Sequence, residues 1–499
     1  MPTLPHGLGS SQAGPGATLH IAFHDVGRGR VRLVHRGLGS FRGDISRGIH
    51  TMTSIDTSSR TGDALIDELT DWLEENWDPD LTVGEWWERL GMAGWAAPML
   101  PEDSYGKGVT RGDALRIGST IHRFGALGAP TGMAVSMASP TIVTHGTREQ
   151  IDRLIPPAVT GKVSYCQLFS EPGAGSDLAG LSCKGEQDGE EWRINGQKVW
   201  TSGGQYADVG MLLARTDPHA PKHRGITWFV IDMDQPGVDL RPLREMTGNA
   251  MFNEVFLTDA IVPDENRIGA VNDGWAAANT TLLHERSGMG ARSGGGGEAR
   301  MVIAGGVANN LDKRAGDFAP TPRSTAAAAA AEKDKKQAPT SAATVGSSPA
   351  KLYIELAREL GKSGEPAVRQ RLAQAHILGT ISRFTTERHK AVRATGGDIP
   401  GVANFSKLLM ADIVRLNRDL GMQLLGARGM LHSYGGSDEL PGGPRAVAVT
   451  SQALNAQALP IYGGTDQIQR NLVGERALGL PKEPGDMSKM PFSELPKNT

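Results

Sequence analysis

Three short strings in this 499-residue chain set hydroxyls and small residues where they can do chemistry. The first is Phe169-Ser170-Glu171-Pro172-Gly173-Ala174-Gly175-Ser176-Asp177. Three small residues after a proline leave backbone N–H groups open to a flat or anionic ligand. Ser170 and Ser176 add hydroxyls on either side. The second string is Gln423-Leu424-Leu425-Gly426-Ala427-Arg428-Gly429-Met430, whose small residues let a backbone approach phosphates. The third is Ile461-Tyr462-Gly463-Gly464-Thr465-Asp466-Gln467-Ile468-Gln469-Arg470. A carboxylate, Glu285, stands between His284 and Arg286 in a helix-like stretch. Taken alone, the first string reads equally as a turn, the second as a helix C-cap, and Glu285-Arg286 as a surface pair.

The bulk properties narrow the classes. A chain this long exceeds one core and suits two or three layered domains. The net charge of -3 argues against nucleic acid. The two cysteines, Cys166 and Cys183, make neither a disulfide framework nor a zinc ligand set, and fit a reducing cytoplasm. No apolar run approaches the roughly 20 residues of a membrane span. The first 51 residues carry six arginines, ten glycines and no lysine. They read as a disordered tail, as a targeting peptide, or as sequence upstream of a true start at Met52.

The elements that must position these strings follow in the order α, β, α. Leu65, Leu69, Trp72 and Leu73 fall at helical spacing, and helix-like pieces follow at Val83 to Leu90, Gly112 to Phe124 and Thr147 to Leu154. Between Cys166 and Val271 the texture turns to strands. Trp192 to Trp200 reads as a hairpin with Asn195-Gly196 at its turn, and Val209 to Ala214 and Ile226 to Ile231 as short apolar strands. Helix returns near Gly274 and meets a four-glycine run at 294–297, which costs a helix roughly 1 kcal/mol per glycine. A low-complexity stretch then precedes renewed helical periodicity from Lys351, with Leu352, Leu356 and Leu360. The expected organisation is a tail at 1–55, a helical domain at 56–165, a middle β domain at 166–272, and the first part of a C-terminal bundle at 273–320. A linker follows at 321–349, then the rest of the bundle at 350–485 and a tail at 486–499.

That order and these strings resemble the acyl-CoA dehydrogenase family over about residues 60–480, the linker apart. The resemblance implies an α+β multidomain fold: an N-terminal α-helical domain, a middle β-barrel or sandwich, and a C-terminal four-helix bundle. The first string is similar to the family's T/S-E-P-G-A-G-S-D, which lines the isoalloxazine ring of FAD. Lys198-Val199-Trp200-Thr201-Ser202-Gly203-Gly204 is similar to its K-x-W-I-T-N-G, where the tryptophan packs on the flavin and the following hydroxyl approaches N5. The second string is similar to a Q-x-x-G-G-x-G segment that meets the FAD pyrophosphate of a neighbouring subunit. The resemblance thus implies FAD contacts from Phe169, Ser170, Gly175, Ser176, Trp200, Ser202, Gln423, Gly426, Ala427, Thr465 and Gln467. It implies substrate contacts from Ser176, Arg286, Gly463 and Gly464.

The acid needed for α-proton removal is displaced. Many relatives carry a catalytic glutamate where this chain has Gly463. Isovaleryl-CoA and long-chain members carry it on the helix that crosses the thioester, which opens here at Gly274-Trp275; the match is Glu285. A desolvated glutamate suits that task. Gly463 keeps an N–H that can polarise the thioester carbonyl together with a ribityl hydroxyl. Other departures are Ala427 for a glycine, an added Arg428, Gln167 where an aromatic is common and Leu283 where a polar residue is usual. The R-x-x-F-G grip is reduced to Glu365–Arg371, with Arg369 in its place.

The expected activity is conversion of an acyl-CoA to its trans-2-enoyl-CoA, with electrons passed to an electron-transfer flavoprotein. The expected state is a homo-oligomer or a heteromer with a paralogue. Gly463 leaves open a non-catalytic or partner-dependent subunit, and an oxygen-using oxidase is a third reading.

Overall fold

The computed structural model describes residues 62–292, 307–320, 349–395, 397–432, 443–481, 487 and 489–496. The expected tail at 1–55, the glycine run at 294–297 and all of the expected linker but residue 349 lie outside the described residues.

The N-terminal helices are α1 (Gly62–Asn76), α2 (Val83–Met92), α3 (Arg111–Phe124), α4 (Ser139–His145) and α5 (Arg148–Val159). In α1, Leu65, Leu69 and Leu73 repeat every fourth residue and are buried, so one face enters the core. Capping boxes start α2 (Thr82 with Glu85) and α5 (Thr147 with Gln150), each satisfying two otherwise orphaned N–H groups. Trp86 and Trp87 of α2 fill the core and donate their ring N–H groups to the Leu127 and Gly128 carbonyls at 2.7 and 2.8 Å.

The middle segment is one curled eight-stranded sheet. Its order is β6-β7-β3-β2-β4-β5-β8, with β1 paired to β4. The strands are β1 (Tyr165–Leu168), β2 (Lys184–Asp188), β3 (Glu191–Ser202), β4 (Val209–Arg215), β5 (Ile226–Asp232), β6 (Val238–Leu243), β7 (Phe252–Pro263) and β8 (Arg267–Ile268). One face closes on its own core of Cys166, Leu168, Trp192, Ile194, Leu212, Phe229, Val255 and neighbours. The opposite faces of β4 and β5, through Met211, Leu213, Trp228 and Val230, join the helical core. Two-sided burial explains why these two strands read as unbroken apolar runs.

The expected hairpin at Asn195-Gly196 does not form. β3 runs straight through that dipeptide, and its register against β7 shifts between Ile194 and Gly196. The turn lies instead between Asp188 and Glu191. Asn-Gly suits a two-residue turn and a bulge alike, and the partner strand decides. Asn195 donates to the Asp259 carboxylate and accepts from the Asp259 N–H, both at 2.9 Å. A side chain at Gly196 would meet Cys183 at 2.8 Å.

Helix α6 (Gly274–Arg292) packs on α4 and β5. It buries Ala277 and Ala278 in the first core, and Thr281 pairs with Thr141 at 2.9 Å. Residues 307–319 return to α2, where the Val83 and Gly84 N–H groups donate to the Lys313 and Leu311 carbonyls at 2.8 Å. Sequence grouped 273–320 with the C-terminal bundle; the described contacts tie α6 and 307–319 to the N-terminal core. Helical periodicity marks a buried face, not the core that buries it.

The bundle proper is α7 (Pro349–Glu359), α8 (Pro366–Ala394), α9 (Val402–Leu425) and α10 (Gly443–Asn455), around Tyr353, Leu356, Ala357, Val368, Ala375, Leu420, Leu424 and Val449. A short α11 (Asp466–Leu472) packs on α9. His432 Nε2 meets the Thr247 carbonyl at 3.1 Å, linking bundle and sheet. No helix among the described residues is long and apolar enough to cross a membrane.

Candidate active site

The Ser170–Asp177 loop leaves β1 at the sheet's end and is held from beneath by a buried ion pair. Lys198 Nζ lies 2.8 Å from Glu171 Oε1, with side-chain exposures of 0% and 6%. Glu171 also accepts from the Ser182 N–H (2.7 Å), the Ser182 hydroxyl (2.9 Å) and the Cys183 N–H (2.9 Å). Lys198 donates further to the Phe169 carbonyl at 3.2 Å, and the Val199 N–H to the Ser170 carbonyl at 2.9 Å. Burial pushes the Glu171 carboxyl up, but the Lys198 charge and these donors outweigh it and hold it below the usual carboxylate range. Phe169 packs into the helical core, while Gly173, Gly175 and Ser176 are exposed.

On the adjoining strand a second register shift, between Lys198 and Thr201, turns the chain at Trp200. Trp200 has φ +62, a left-handed conformation that costs a bulky residue on the order of 1–3 kcal/mol. It leaves the ring 61% exposed beside the loop, edge-on to Phe252 at 5.8 Å. Ser202 is half-buried opposite Phe252, and the buried Thr201 hydroxyl has no hydrogen-bond partner among the described residues.

Glu285 projects from the last half of α6 toward β1. Gln167 Nε2 donates to Glu285 Oε2 at 3.4 Å, and Gln167 is two residues before Phe169. The carboxylate is thus half-buried and next to the strand that delivers the loop. Burial lowers the His284 pKa below the ordinary histidine value. Arg286 follows on the helix, but its side chain lies outside the described residues. Leu283 is exposed.

The two C-terminal strings lie apart along α9: 423–430 ends it, while 461–470 packs against Asn404, Lys407 and Arg415 nearer its start. Gln423 is exposed on α9; its carbonyl and that of Leu424 accept from Lys362 Nζ at 3.3 and 2.8 Å, a cation placed where the helix dipole favours one. Gly426 caps this helix, and Ala427 and Arg428 are exposed in the following turn. Arg369 is exposed on α8. Thr465 caps α11 through a bond from the Ile468 N–H, and Gln467 is exposed. Asp466, 2% exposed, is held by Lys407 at 2.8 Å and Arg415 at 2.5 Å. Gln469 donates to the Gly463 carbonyl at 2.8 Å. Gly463 has φ +64 and Gly464 φ +83. A glutamate at 463 would pay the left-handed penalty of roughly 1 kcal/mol.

Residues 61–162, 166–260 and 341–478 match, in turn, the N-terminal, middle and C-terminal domains of acyl-CoA dehydrogenases. The chain is 31% identical over 398 residues to acyl-CoA dehydrogenase IpdE1 of Mycobacterium tuberculosis, covering 80% of this chain and 88% of that relative. The protein belongs to the acyl-CoA dehydrogenase family. It is also 37% identical over 393 residues to acyl-CoA dehydrogenase FadE34 of the same organism, covering 79% of this chain and 46% of FadE34. The chain therefore spans about half the length of that relative. Its fold is similar to that of the Tcur3481-Tcur3483 steroid ACAD (TM-score 0.56, 24% identity, 85% of this chain and 98% of that one). It is similar too to the ChsE4-ChsE5 complex from Mycobacterium tuberculosis (TM-score 0.55, 24% identity, 86% and 100%).

Acyl-CoA dehydrogenases are FAD-dependent flavoproteins, and the loop fits a flat, anionic cofactor. A Cβ built on Gly173 or Gly175 meets no atom within 4 Å, so the backbone faces open space. The residues that hold this loop lie inside the strings, but only their tertiary burial reveals that role. Glu171 and Lys198 are charged residues at buried positions, and Gln167, where the family commonly has an aromatic, reaches Glu285. Cys166 and Cys183 are buried thiols, pushed up to about 12 and about 11, and serve the sheet core. Among the described residues, no cluster of three His, Cys, Asp or Glu could hold a metal.

Proposed function

We propose that this acyl-CoA dehydrogenase removes the α-proton of an acyl-CoA thioester with Glu285 and yields the trans-2-enoyl-CoA. The observation that carries the reading is the Gln167–Glu285 contact at 3.4 Å, which joins the α6 carboxylate to the strand leading into the flavin loop. Bound FAD supplies the two-electron acceptor for the hydride that leaves Cβ. The protein's part is to hold the proton acceptor and to polarise the thioester. Gln167 orients the carboxylate, and a hydrogen bond to its charged form keeps it ready to accept a proton. The Gly463 N–H polarises the thioester carbonyl, so that the α-proton is acidified as the base approaches. Trp200 and Ser202 flank the ring, while Ser176, Arg286 and Gly464 contact the substrate. The reoxidising partner is an electron-transfer flavoprotein.

Glu285→Gln is the deciding variant. It is expected to bind FAD normally and to slow flavin bleaching by acyl-CoA by at least about 10³-fold, within the range for loss of a positioned base. Normal bleaching in a yellow Glu285→Gln protein would remove Glu285 from this role. A second reading rests on the bare, left-handed Gly463: the chain is a partner-dependent subunit. Purified alone, it would then carry FAD but bleach only when mixed with a paralogue.

A further inference from the structure

Residues 489–496 lie against the segment that joins β4 to β5. Pro491 forms an antiparallel bridge with Pro221. The Phe492 N–H donates to the Ala220 carbonyl at 2.9 Å and the Ser493 N–H to the Pro218 carbonyl at 2.8 Å. These bonds seat the half-buried Phe492 ring on the Arg215 guanidinium, 3.9 Å from the ring centroid.

Arg215 ends β4 and is 3% exposed. Its guanidinium donates to the carbonyls of Ala179 (2.6 Å), Leu181 (3.2 Å) and Lys222 (2.7 Å). Lys222 in turn grips Asp177, the last residue of the loop, at 2.8 and 2.9 Å. One buried cation therefore ties two segments together, 177–181 and 217–224. Main-chain carbonyls hold a guanidinium firmly only in a low-dielectric setting, and the Phe492 face supplies that cover. Burial pushes the Arg215 pKa down to about 10, against the pull of Glu171, Asp217 and Asp177.

We propose that residues 489–496 form a strap that positions the flavin loop: Phe492 seals Arg215, and Arg215 fixes the segment that follows Asp177. This rests on the reading that Ser170–Asp177 contacts FAD. The ring acts through Arg215 and touches no reacting atom.

The test uses the full-length apoprotein with FAD. Phe492→Ala is expected to speed amide exchange at 177–181 and 217–224 and to raise the FAD dissociation constant roughly threefold to thirtyfold, the span of a partly desolvated cation–π contact. Phe492→Tyr, which keeps the ring, should restore both. Gly175→Val serves as reference, since its side chain enters open space but blocks the loop's face. If Gly175→Val weakens FAD binding while Phe492→Ala leaves it within twofold, the strap inference is overturned. If Gly175→Val itself leaves FAD binding intact, the loop reading fails instead, and unchanged exchange in Phe492→Ala would overturn the strap separately.

Discussion

Lys198→Met isolates the lock beneath the Ser170–Asp177 loop. It removes a fully buried ammonium 2.8 Å from Glu171 and its 3.2 Å bond to the Phe169 carbonyl. Three donors remain on the Glu171 carboxylate, from Ser182 and Cys183. Breaking one side of a buried pair costs about 3–5 kcal/mol, because the surviving charge stays desolvated. Methionine keeps most of the volume, so little of that loss is cavity. Glu171→Gln should cost a similar amount by stranding Lys198. The double variant Glu171→Gln/Lys198→Met strands no charge, and should lose clearly less than the two singles added, by about 2 kcal/mol or more. Urea unfolding followed by tryptophan fluorescence measures all three, with FAD content read on the same samples. The pH sign is also set. In the parent, Glu171 has a lowered pKa, so its stabilisation is present above the unfolded carboxylate value near 4.5 and is lost as pH falls through the native value. In Lys198→Met burial acts against fewer counterweights, the native pKa rises, and the deficit should shrink as the pH is lowered. A single-variant cost under about 1 kcal/mol, or strict additivity in the double, refutes the argument that this pair holds the loop.

The remaining predictions concern the bundle and α6. Asp466→Asn leaves Lys407 and Arg415 facing a neutral amide and should cost about 2–3 kcal/mol, less than a fully buried pair because Arg415 is over a third exposed; an unchanged urea midpoint contradicts this. His145 and His284 both have native pKa values lowered by burial, so the unfolded chain takes up protons first as pH falls. Stability is therefore full above about pH 6.5 and declines below it. Urea midpoints at pH 7.5 and 5.5 should show this, with a smaller decline in His284→Gln; equal declines in both proteins would count against it.

Local strings carried most of what could be read in advance. The Ser170–Asp177 loop, the Trp200 segment and the Gly463 string are each under a dozen residues, and their backbone demands lie within them. A helical period likewise gave α1 and α2, since a buried face repeats at 3.6 residues wherever it packs, and unbroken apolar runs gave β4 and β5. The misread hairpin shows where this stops. Asn195-Gly196 satisfies a turn and a bulge equally, and Asp259, 64 residues away, chooses the bulge.

The sequence by itself determined the family and its cofactor, because these rest on residue identity at fixed short spacing, and it supplied the acid exchange between Gly463 and Glu285 that is proposed above. Only the tertiary structure decided which charges are buried together and what they hold. Glu171 meets Lys198 across 27 residues, Gln167 meets Glu285 across 118, and Phe492 covers Arg215 from the far end of the chain. Burial turns such pairs from weak surface contacts into strong constraints, and burial depends on how distant segments pack.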